Sequence, residues 1–364
     1  MKTTSNRLER MDPIAHRLVE LNHNTPFTDA NLAPGQPLMI RTPAGYQPAD
    51  DEPLDAQAIE TFLALPGMAG EGWRERMQNN GGSWGFARTT RTSRLRISLY
   101  ETGGEKHTLR VAIRRLPLHA PDFEDIGLPS HITNVVEQGR GLFLITGPTG
   151  AGKSTTLASL LERINRSHAL HIQTIEEPIE YVFKPNKSVI SQVEVPVNVD
   201  SFEHGVHAAL RHRPDIIAIG KMRDRQTVSA ALQAASSGHF VLGTLHTASV
   251  DETVDAVLQF FDGQESEQKR MLLASALIGI ISQTLLPDVR GEKLVLAHEL
   301  MLMTPGIANL IRQNKIQQLS GAIEEGRSSG MCTLNDSLNR LVREGRVSKT
   351  AAFRAAYTRE GLNL

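Results

Sequence analysis

The feature that most constrains the fold is the glycine-rich stretch Gly147-Pro-Thr-Gly-Ala-Gly-Lys-Ser154 near the middle of the chain. An apolar run, Gly141–Thr146, comes before it and has the length of a buried strand. After it, apolar residues recur at i, i+3, i+4 and i+7 from Leu157, which is helical spacing. A strand, a glycine-rich turn and a helix in this order are the context of a phosphate-binding loop, so the stretch predicts nucleotide binding.

The residue types in this stretch match what a nucleoside triphosphate needs. Glycines allow backbone N–H groups to converge on an oxyanion without interference from Cβ atoms, and the helix N-terminus adds the positive end of its dipole. Lys153 can reach the outer phosphates, and the Ser154 hydroxyl can bind Mg²⁺. We therefore expect ATP and Mg²⁺ to be bound by the loop residues Gly147, Pro148, Thr149, Gly150, Ala151, Gly152, Lys153, Ser154 and Thr155.

Composition narrows the class of protein. The chain has 364 residues, 40% of them hydrophobic and 22% charged, which is typical of a soluble globular protein long enough for two domains. A net charge of −1 gives no reason to expect nucleic-acid binding. The single cysteine, Cys332, excludes an intrachain disulfide and a cysteine-based zinc site. Because no stretch approaches the roughly 18 apolar residues of a membrane span, we expect a cytoplasmic protein that reaches a membrane only through a partner.

Strand-like runs and helical patterns alternate after the phosphate-binding loop. Strands are predicted at His171–Ile175, Asp215–Gly220 and His239–Thr247, and helices at Phe202–His212 and Val228–Ser236. This alternation predicts an α/β fold with a parallel sheet that is covered on both faces. Ligands of such sheets lie at the carboxyl ends of the strands, so the polar residues that follow the strands are expected to meet at one phosphate site.

Three positions at these strand ends are candidates for the chemistry. Glu176 is a candidate general base that orients or deprotonates the attacking water, and the alternative is a structural glutamate in a helix start or salt bridge. His246 is a candidate sensor of the γ-phosphate, and the alternative is a structural histidine beside an apolar strand. Lys221 stands where P-loop enzymes usually place an acid near Mg²⁺. It is expected to reach a phosphate or to pair with Glu176 or Glu177, and hydrolysis is expected to be slow.

The rest of the chain predicts further regions around this core. Several prolines between Pro117 and Pro129 indicate a linker. The patterns that follow the last strands are mostly helical. The predicted organisation is an N-terminal segment (1–26), a small α+β domain (27–117), a linker (118–129), the nucleotide-binding domain (130–300) and a helical C-terminal region (301–364).

Local patterns within these regions predict individual elements. Helices are expected near Pro13–Leu21, from Ser130 to about Glu137, and over Lys269–Ile281. A hairpin is expected from the alternating runs Arg94–Leu99 and Leu109–Arg114, with a glycine-containing turn between them.

Strand alternation in this hairpin places Arg94 and Arg96 on one face, and Arg110 and Arg114 likewise. One interpretation is a solvated basic face that protects an edge strand from aggregation. The other is a guanidinium cluster that contacts phosphates bound to a neighbouring subunit, since arginine suits phosphate geometry. The pattern alone leaves both open.

The motifs together resemble a known family, the retraction ATPases of type IV pili within the secretion ATPase superfamily. The resemblance is dense from about Gly141 to Gly345 and weaker before that. The matching segments are the Walker A loop Gly147–Ser154, the acidic box Thr174–Glu180, the Walker B segment Asp215–Asp224, the histidine box Gly238–Thr247, the retraction motif Thr304–Arg312 and the start of a PAS-like domain at Asp29–Arg41.

The resemblance implies a RecA-like P-loop ATPase domain with a smaller PAS-like N-terminal domain, assembled as a ring-shaped homohexamer. It implies Glu176 as the water-activating base, His246 as the phosphate sensor, and Arg96 or Arg114 as an arginine finger. The function implied is ATP-driven pilus retraction, as in twitching motility or a plasmid or thin-pilus equivalent. The implied partner is a platform protein of the inner membrane, which places the motor at the cytoplasmic face of that membrane.

The sequence also departs from the family pattern. The family has glutamate at the position of Lys221 and at that of Gln313, and arginine at the positions of Ala256 and Ala308. These differences keep two alternatives open. One is a nucleotide-gated ring with weak or no hydrolysis, including an accessory ring that needs an active paralogous retraction ATPase. The other is a pilus assembly or secretion ATPase, although the chain lacks the long N-terminal extension and tetracysteine zinc insert that many of these carry.

Overall fold

The computed structural model describes residues 12–24, 27–42, 45–90, 93–103 and 107–363. The chain divides into two compact units. The first unit comprises Met1–His119 together with the short segment Pro178–Val182, and the second comprises Ala120–Glu177 and Phe183–Leu364. Of the helices in the described ranges, none combines the length and the apolarity that a bilayer crossing requires.

The first unit is an antiparallel sheet packed with helices. Its described elements are α1 (Pro13–Asn24), β1 (Asp29–Leu32), β2 (Pro37–Thr42), β3 (Gly45–Pro53), α2 (Ala56–Ala64), α3 (Trp73–Asn79), β4 (Ser83–Thr89), β5 (Arg94–Thr102) and β6 (Thr108–Leu116). The strand order is β3-β2-β1-β6-β5-β4. One apolar cluster joins the sheet to the helices, with Ile14, Phe62 and Ile97 at its centre.

The β5–β6 pair is the predicted hairpin, and its two faces differ as expected. Ile97 pairs with Ile113 and is fully buried, while Arg96 pairs with Arg114 on the opposite face. Arg94 and Arg110 share that second face because side chains alternate along a strand. Part of the predicted turn, residues 104–106, lies outside the described residues.

The second unit holds the larger sheet. Its described elements are β7 (Gly141–Thr146), α4 (Lys153–Ser167), β8 (His171–Glu176), β9 (Val189–Glu194), α5 (Phe202–His212), β10 (Ile216–Ile219), α6 (Arg225–Ser236), β11 (Phe240–Thr244), α7 (Val250–Gln259), α8 (Gly263–Ala276), β12 (Leu277–Pro287), β13 (Leu294–Leu302), α9 (Pro305–Arg312), α10 (Leu319–Glu325), α11 (Leu334–Arg343) and α12 (Lys349–Ala355). Short 3₁₀ helices lie at Phe123–Ile126, Ser130–Gln138, Ile316–Gln318 and Gly326–Ser329.

The strand order β13-β12-β7-β11-β10-β8-β9 is parallel except at one edge, where β13 runs antiparallel to β12. Every residue of β7 is buried because the sheet is covered on both faces. Leu142 and Leu144 pack into one apolar cluster with α6 and α7, while Phe143 and Ile145 pack into another with α4. The predicted α/β fold is therefore confirmed.

Two predicted helices are corrected by the structure. The helix expected over Lys269–Ile281 ends at Ala276, and the chain continues as β12 from Leu277 to Pro287. Ile278, Ile280 and Ile281 are β-branched, which favours a strand once β7 offers a pairing edge. The helix expected from Ser130 to about Glu137 forms as a 3₁₀ helix, Ser130–Gln138.

We expect that Gly279→Ala will destabilise the second unit. A Cβ atom at Gly279 would lie 2.7 Å from the carbonyl oxygen of Met301 and 3.0 Å from the Phe143 ring, so β12 would have to move. The free energy of unfolding should fall by about 1–3 kcal/mol, measured by denaturant titration. Gly321→Ala is the control, because α10 leaves that position open and alanine favours a helix. Equal stability of the two variants would contradict this packing.

Candidate active site

The phosphate-binding loop lies between β7 and α4, and its backbone requires glycine at three positions. Gly147 has φ 144°, and Gly150 and Gly152 each have φ 85°. A Cβ atom at Gly147 would also lie 2.2 Å from the carbonyl oxygen of Gln283 in β12. The loop therefore turns tightly at the N-terminus of α4, where the free N–H groups and the helix dipole favour an anion.

Lys153 is the first residue of α4, and its side chain folds back over the loop. Its buried ammonium group donates to the carbonyl oxygens of Gly147, at 2.7 Å, and Pro148, at 2.9 Å. The same Nζ atom lies 3.3 Å from Nδ1 of His246. Burial lowers the pKa of Lys153 to about 8, so the ammonium form predominates at neutral pH but titrates just above it.

His246 follows β11 and contacts the loop through Lys153. Its partial burial lowers the pKa of the imidazole, and the positive charges of Lys153, Arg223 and Lys221 lower it further. The imidazole is therefore neutral at pH 7, and because the ammonium donates to Nδ1, the proton lies on Nε2. The side chain is exposed, so this N–H can donate to a ligand oxygen.

Glu176 ends β8 and is held by two neutral donors. Its Oε1 atom accepts from Thr174 Oγ1 at 2.7 Å and from Gln192 Nε2 at 3.1 Å. The neighbouring strand end is so close that a Cβ at Gly220 would lie 3.4 Å from the Cα of Glu176. The carboxylate is thereby oriented at the carboxyl edge of the sheet, as a water-activating group must be.

The strand register places Glu176, Lys221, His246 and the phosphate-binding loop along one edge of the sheet. Not all of these groups are in direct contact with each other. Ile175 pairs with Ile219, Ile219 with Gly243, and Thr244 with Ile145, so β8, β10, β11 and β7 end side by side. β8 and β7 are three strand spacings apart, a distance of about 14 Å. Lys153 and His246 are in contact, whereas Glu176 lies across the edge from them, a separation that a triphosphate and its water can span.

Lys221 pairs with Glu177, which is one of the partners that the sequence allowed. Its ammonium donates to the Glu177 carbonyl oxygen and lies 3.5 Å from the carboxylate Oε2. Arg223 lies 3.7 Å from the same Oε2 atom. Two cations thus share one carboxylate, and their remaining positive charge acts on His246.

Sequence reasoning missed Gln283, a buried residue of β12 that supports the loop. Its Nε2 atom donates to the carbonyl oxygen of Ala151 at 2.6 Å, and its backbone packs on Gly147. The error in the predicted helix over Lys269–Ile281 removed β12 from consideration. The clustered β-branched residues of that run were the available signal for a strand.

Ser154 and the arginines complete the set of predicted site residues. Ser154 is exposed at the start of α4, next to the loop, as a ligand of Mg²⁺ would be. In the first unit, Arg96 lies 3.2 Å from Glu180 and Arg114 donates to Asp29 at 2.8 Å. Arg94 is buried and donates to the carbonyl oxygen of Ile179, which favours a structural role for it.

A parallel sheet of this order, with a glycine loop and a lysine after β7, is a RecA-like fold, and the chain is accordingly a P-loop ATPase. The family model described as type II/IV secretion system protein matches residues 67–355. The match covers more than half of the 364 residues, and the chain belongs to this family.

Two relatives of this chain are a twitching motility protein and a pilus retraction ATPase. The twitching motility protein of Neisseria gonorrhoeae is 40% identical over 271 residues, which cover 74% of this chain and 72% of that protein. The type IV pilus retraction ATPase PilT of Pseudomonas aeruginosa is 36% identical over 327 residues, which cover 89% and 93%. The crystal structure of the pilus retraction motor PilT with bound ADP superimposes with a TM-score of 0.84 at 35% identity, covering 94% of this chain and 97% of that one.

The pKa of Lys153 predicts how nucleotide affinity depends on pH. The ammonium form binds phosphate, and its pKa in the free protein is about 8. Raising the pH from 7 to 9 should therefore weaken binding of a non-hydrolysable ATP analogue about tenfold. His246 does not contribute to this change, because its pKa is lowered and the ring stays neutral throughout.

Titration calorimetry at fixed Mg²⁺ across this pH range measures the effect. Lys153→Met keeps the apolar stem and removes the titrating group, so its weaker binding should be independent of pH. The same slope in Lys153→Met and in the unmodified protein would assign the effect to another group.

Proposed function

We propose that this chain is the subunit of a homohexameric motor that hydrolyses ATP to drive type IV pilus retraction, as in twitching motility or a plasmid or thin-pilus equivalent. The observation that carries the proposal is the contact of Lys153 with His246 at the sheet edge that also ends in Glu176. The similarity to a pilus retraction ATPase over 89% of the chain supports the particular task.

The chemistry follows from the orientation of Glu176. Water attacks the γ-phosphorus of ATP, the bond between that phosphorus and the β–γ bridging oxygen breaks, and ADP and phosphate leave. The carboxylate of Glu176 accepts the proton of the attacking water, and Thr174 and Gln192 keep it aimed through their bonds to Oε1.

Lys153 and His246 respond to the bound phosphates. The Lys153 ammonium exchanges its carbonyl partners, Gly147 and Pro148, for phosphate oxygens, which are stronger acceptors because they are charged. The Nε2–H of His246 then donates to a γ-phosphate oxygen and reports its presence. When bound, Mg²⁺ would neutralise phosphate charge, and the Ser154 hydroxyl would ligate it.

The basic face of the first unit supplies the arginine finger. In a ring, Arg96 or Arg114 of one subunit contacts the nucleotide of its neighbour, and each gives up a largely buried carboxylate partner to do so. A triphosphate carries more negative charge than one carboxylate, which favours the exchange.

The wider assignments belong to the same proposal. The domains are the N-terminal segment 1–26, the PAS-like domain 27–117, the linker 118–129, the ATPase domain 130–300 and the C-terminal region 301–364. The partners are further copies of this chain, an inner-membrane platform protein and a paralogous retraction ATPase, with no nucleic acid. The motor works in the cytoplasm, peripheral to the inner membrane.

One observation favours a second candidate, a nucleotide-gated ring with weak or no hydrolysis. Lys221 places a positive charge at a strand end near the phosphate site, where P-loop enzymes usually have an acid, and Arg223 shares its partner Glu177. A positive charge at this strand end would oppose Mg²⁺ binding, by several kcal/mol if the two were about 5 Å apart at an effective dielectric constant near 20.

Purified protein should release phosphate from ATP in a Lys153-dependent manner. Lys153→Ala removes the ammonium that binds the outer phosphates and is expected to lower kcat/KM by at least roughly 100-fold. Lys293→Ala, at an exposed hairpin residue, is the matched control and should keep full turnover. Absence of Lys153-dependent turnover at every Mg²⁺ and salt concentration would remove the motor proposal.

Lys221→Glu distinguishes the two candidates. If Glu177 neutralises Lys221 sufficiently for a working motor, turnover should change by less than about threefold. A strong rise in turnover would instead support the nucleotide-gated ring. Lys221→Gln, measured in parallel, separates loss of the positive charge from gain of a carboxylate.

A deletion strain tests the direction of force. Loss of a retraction motor should leave excess surface pili, which electron microscopy counts, and the Lys153→Ala allele should fail to restore the normal number. Loss of pili on deletion would assign the chain to pilus assembly instead.

A further inference from the structure

We propose that Glu299 and Tyr357 are positioning residues that hold the His246 loop, residues 246–250, and thereby set the efficiency of hydrolysis from the C-terminal part of the chain. The inference rests on the proposed function for its kinetic readout. It assigns a task to two side chains whose hydrogen bonds are made to the loop that follows His246.

The carbonyl oxygen of Ala248, in the middle of the His246 loop, accepts two side-chain hydrogen bonds. One comes from the Ser282 hydroxyl of β12, and the other from the Tyr357 hydroxyl, just beyond α12. Tyr357 and Ala248 are 109 residues apart in sequence. The end of the chain is thus bonded to the loop that follows β11.

Glu299 holds the other end of the same loop. This buried residue of β13 accepts the backbone N–H of Val250, the first residue of α7, at 2.8 Å. A carboxylate at a helix N-terminus accepts a hydrogen bond from an N–H that has no partner within the helix. Its negative charge also interacts favourably with the positive end of the helix dipole. Glu252 accepts the N–H of Ala248 at 2.7 Å, so three backbone groups of the loop are bound by four side chains, which come from α7, β12, β13 and the segment after α12.

These bonds bear directly on the position of His246. Thr247 is buried, and its hydroxyl lies 2.6 Å from that of Thr253, which lies 3.3 Å from the Thr146 hydroxyl at the end of β7. His246 is therefore placed between the fixed β11 and a loop that is bound on its far side. A loop that loses its bonds at Ala248 and Val250 can shift the imidazole away from the Lys153 ammonium, now 3.3 Å away.

The surroundings of Glu299 make its interaction with the start of α7 dependent on pH. The pKa of Glu299 is raised to about 7, chiefly by burial and in part by the negative charge of Asp251, while the hydrogen bond from the Val250 N–H opposes the rise. Tyr357 faces it with a pKa raised to about 12 by burial, so this hydroxyl remains a donor at neutral pH. Asp251 and Glu252 are the charged groups on α7 that face this cluster. As the pH falls through about 7, Glu299 loses the charge that stabilises the start of α7.

The first test is Tyr357→Phe, which removes only the hydroxyl. We expect kcat to fall about threefold to tenfold, as for loss of one hydrogen bond, with KM for ATP unchanged. Amide hydrogen exchange of peptides that span residues 245–252 should become faster. Tyr46→Phe, at an exposed tyrosine of the first unit, is the matched control. Identical kinetics and exchange in the two variants would overturn the role of Tyr357.

The second test is Glu299→Gln, which keeps the shape and one acceptor oxygen but cannot ionise. The kcat of the unmodified protein should fall as the pH drops through about 7, the pKa of Glu299. In Glu299→Gln, kcat should show no such fall and should equal the lower plateau of the unmodified protein at every pH. Glu292→Gln, at an exposed glutamate, should keep the normal profile. An unaltered profile in Glu299→Gln would overturn the role of Glu299.

Failure of the proposed function is distinguishable from failure of this inference. A protein without Lys153-dependent turnover is not a hydrolysing motor. The rate of amide hydrogen exchange in residues 245–252 still measures how firmly the His246 loop is held. Faster exchange in both variants supports the positioning role in either case, and unchanged exchange in both contradicts it.

Discussion

The active site depends on one buried cation, the ammonium group of Lys153. A buried charge is stable only where hydrogen-bonding partners replace water, and here the carbonyl oxygens of Gly147 and Pro148 do so. The lowered pKa shows that this replacement is incomplete. An anion at the loop is a better partner than two carbonyl groups, so the folded chain is built to bind phosphate before any catalytic group acts.

The other charged groups at the carboxyl edge of the sheet determine the electrostatic environment of a phosphate bound at the loop. Burial lowers the pKa of His246, and the positive charges of Lys153, Arg223 and Lys221 lower it further, so the imidazole is neutral and can donate through Nε2. Glu176 accepts hydrogen bonds at Oε1 from two neutral groups, the Thr174 hydroxyl and the Gln192 amide. These bonds orient the carboxylate at the carboxyl edge of the sheet, which is the geometry that the proposed water activation requires.

The sequence was sufficient to predict the phosphate-binding loop and the strand ends, because glycine spacing and apolar runs are local signals. It was insufficient for β9 and for β12, which form only where a neighbouring strand offers hydrogen bonds: β9 pairs with β8, and β12 pairs with β7. Gln283 was missed with β12 for that reason. The partner of Lys221 was left open between Glu176 and Glu177, since adjacent residues differ in side-chain direction in ways that only three-dimensional contacts decide.

His246 depends both on a local sequence signal and on contacts between remote parts of the chain. Its position after an apolar strand is readable from the sequence, but its orientation depends on Ser282, Glu299 and Tyr357, which are remote in the chain. The strand end is fixed by the sheet, whereas the loop beyond it is fixed by side-chain bonds that can break singly. The sheet thus carries the phosphate-binding loop, whereas His246 lies on a loop that separate side-chain bonds hold. Under the proposed function, in which His246 senses the γ-phosphate, this arrangement allows one site both to bind a nucleotide and to report its state.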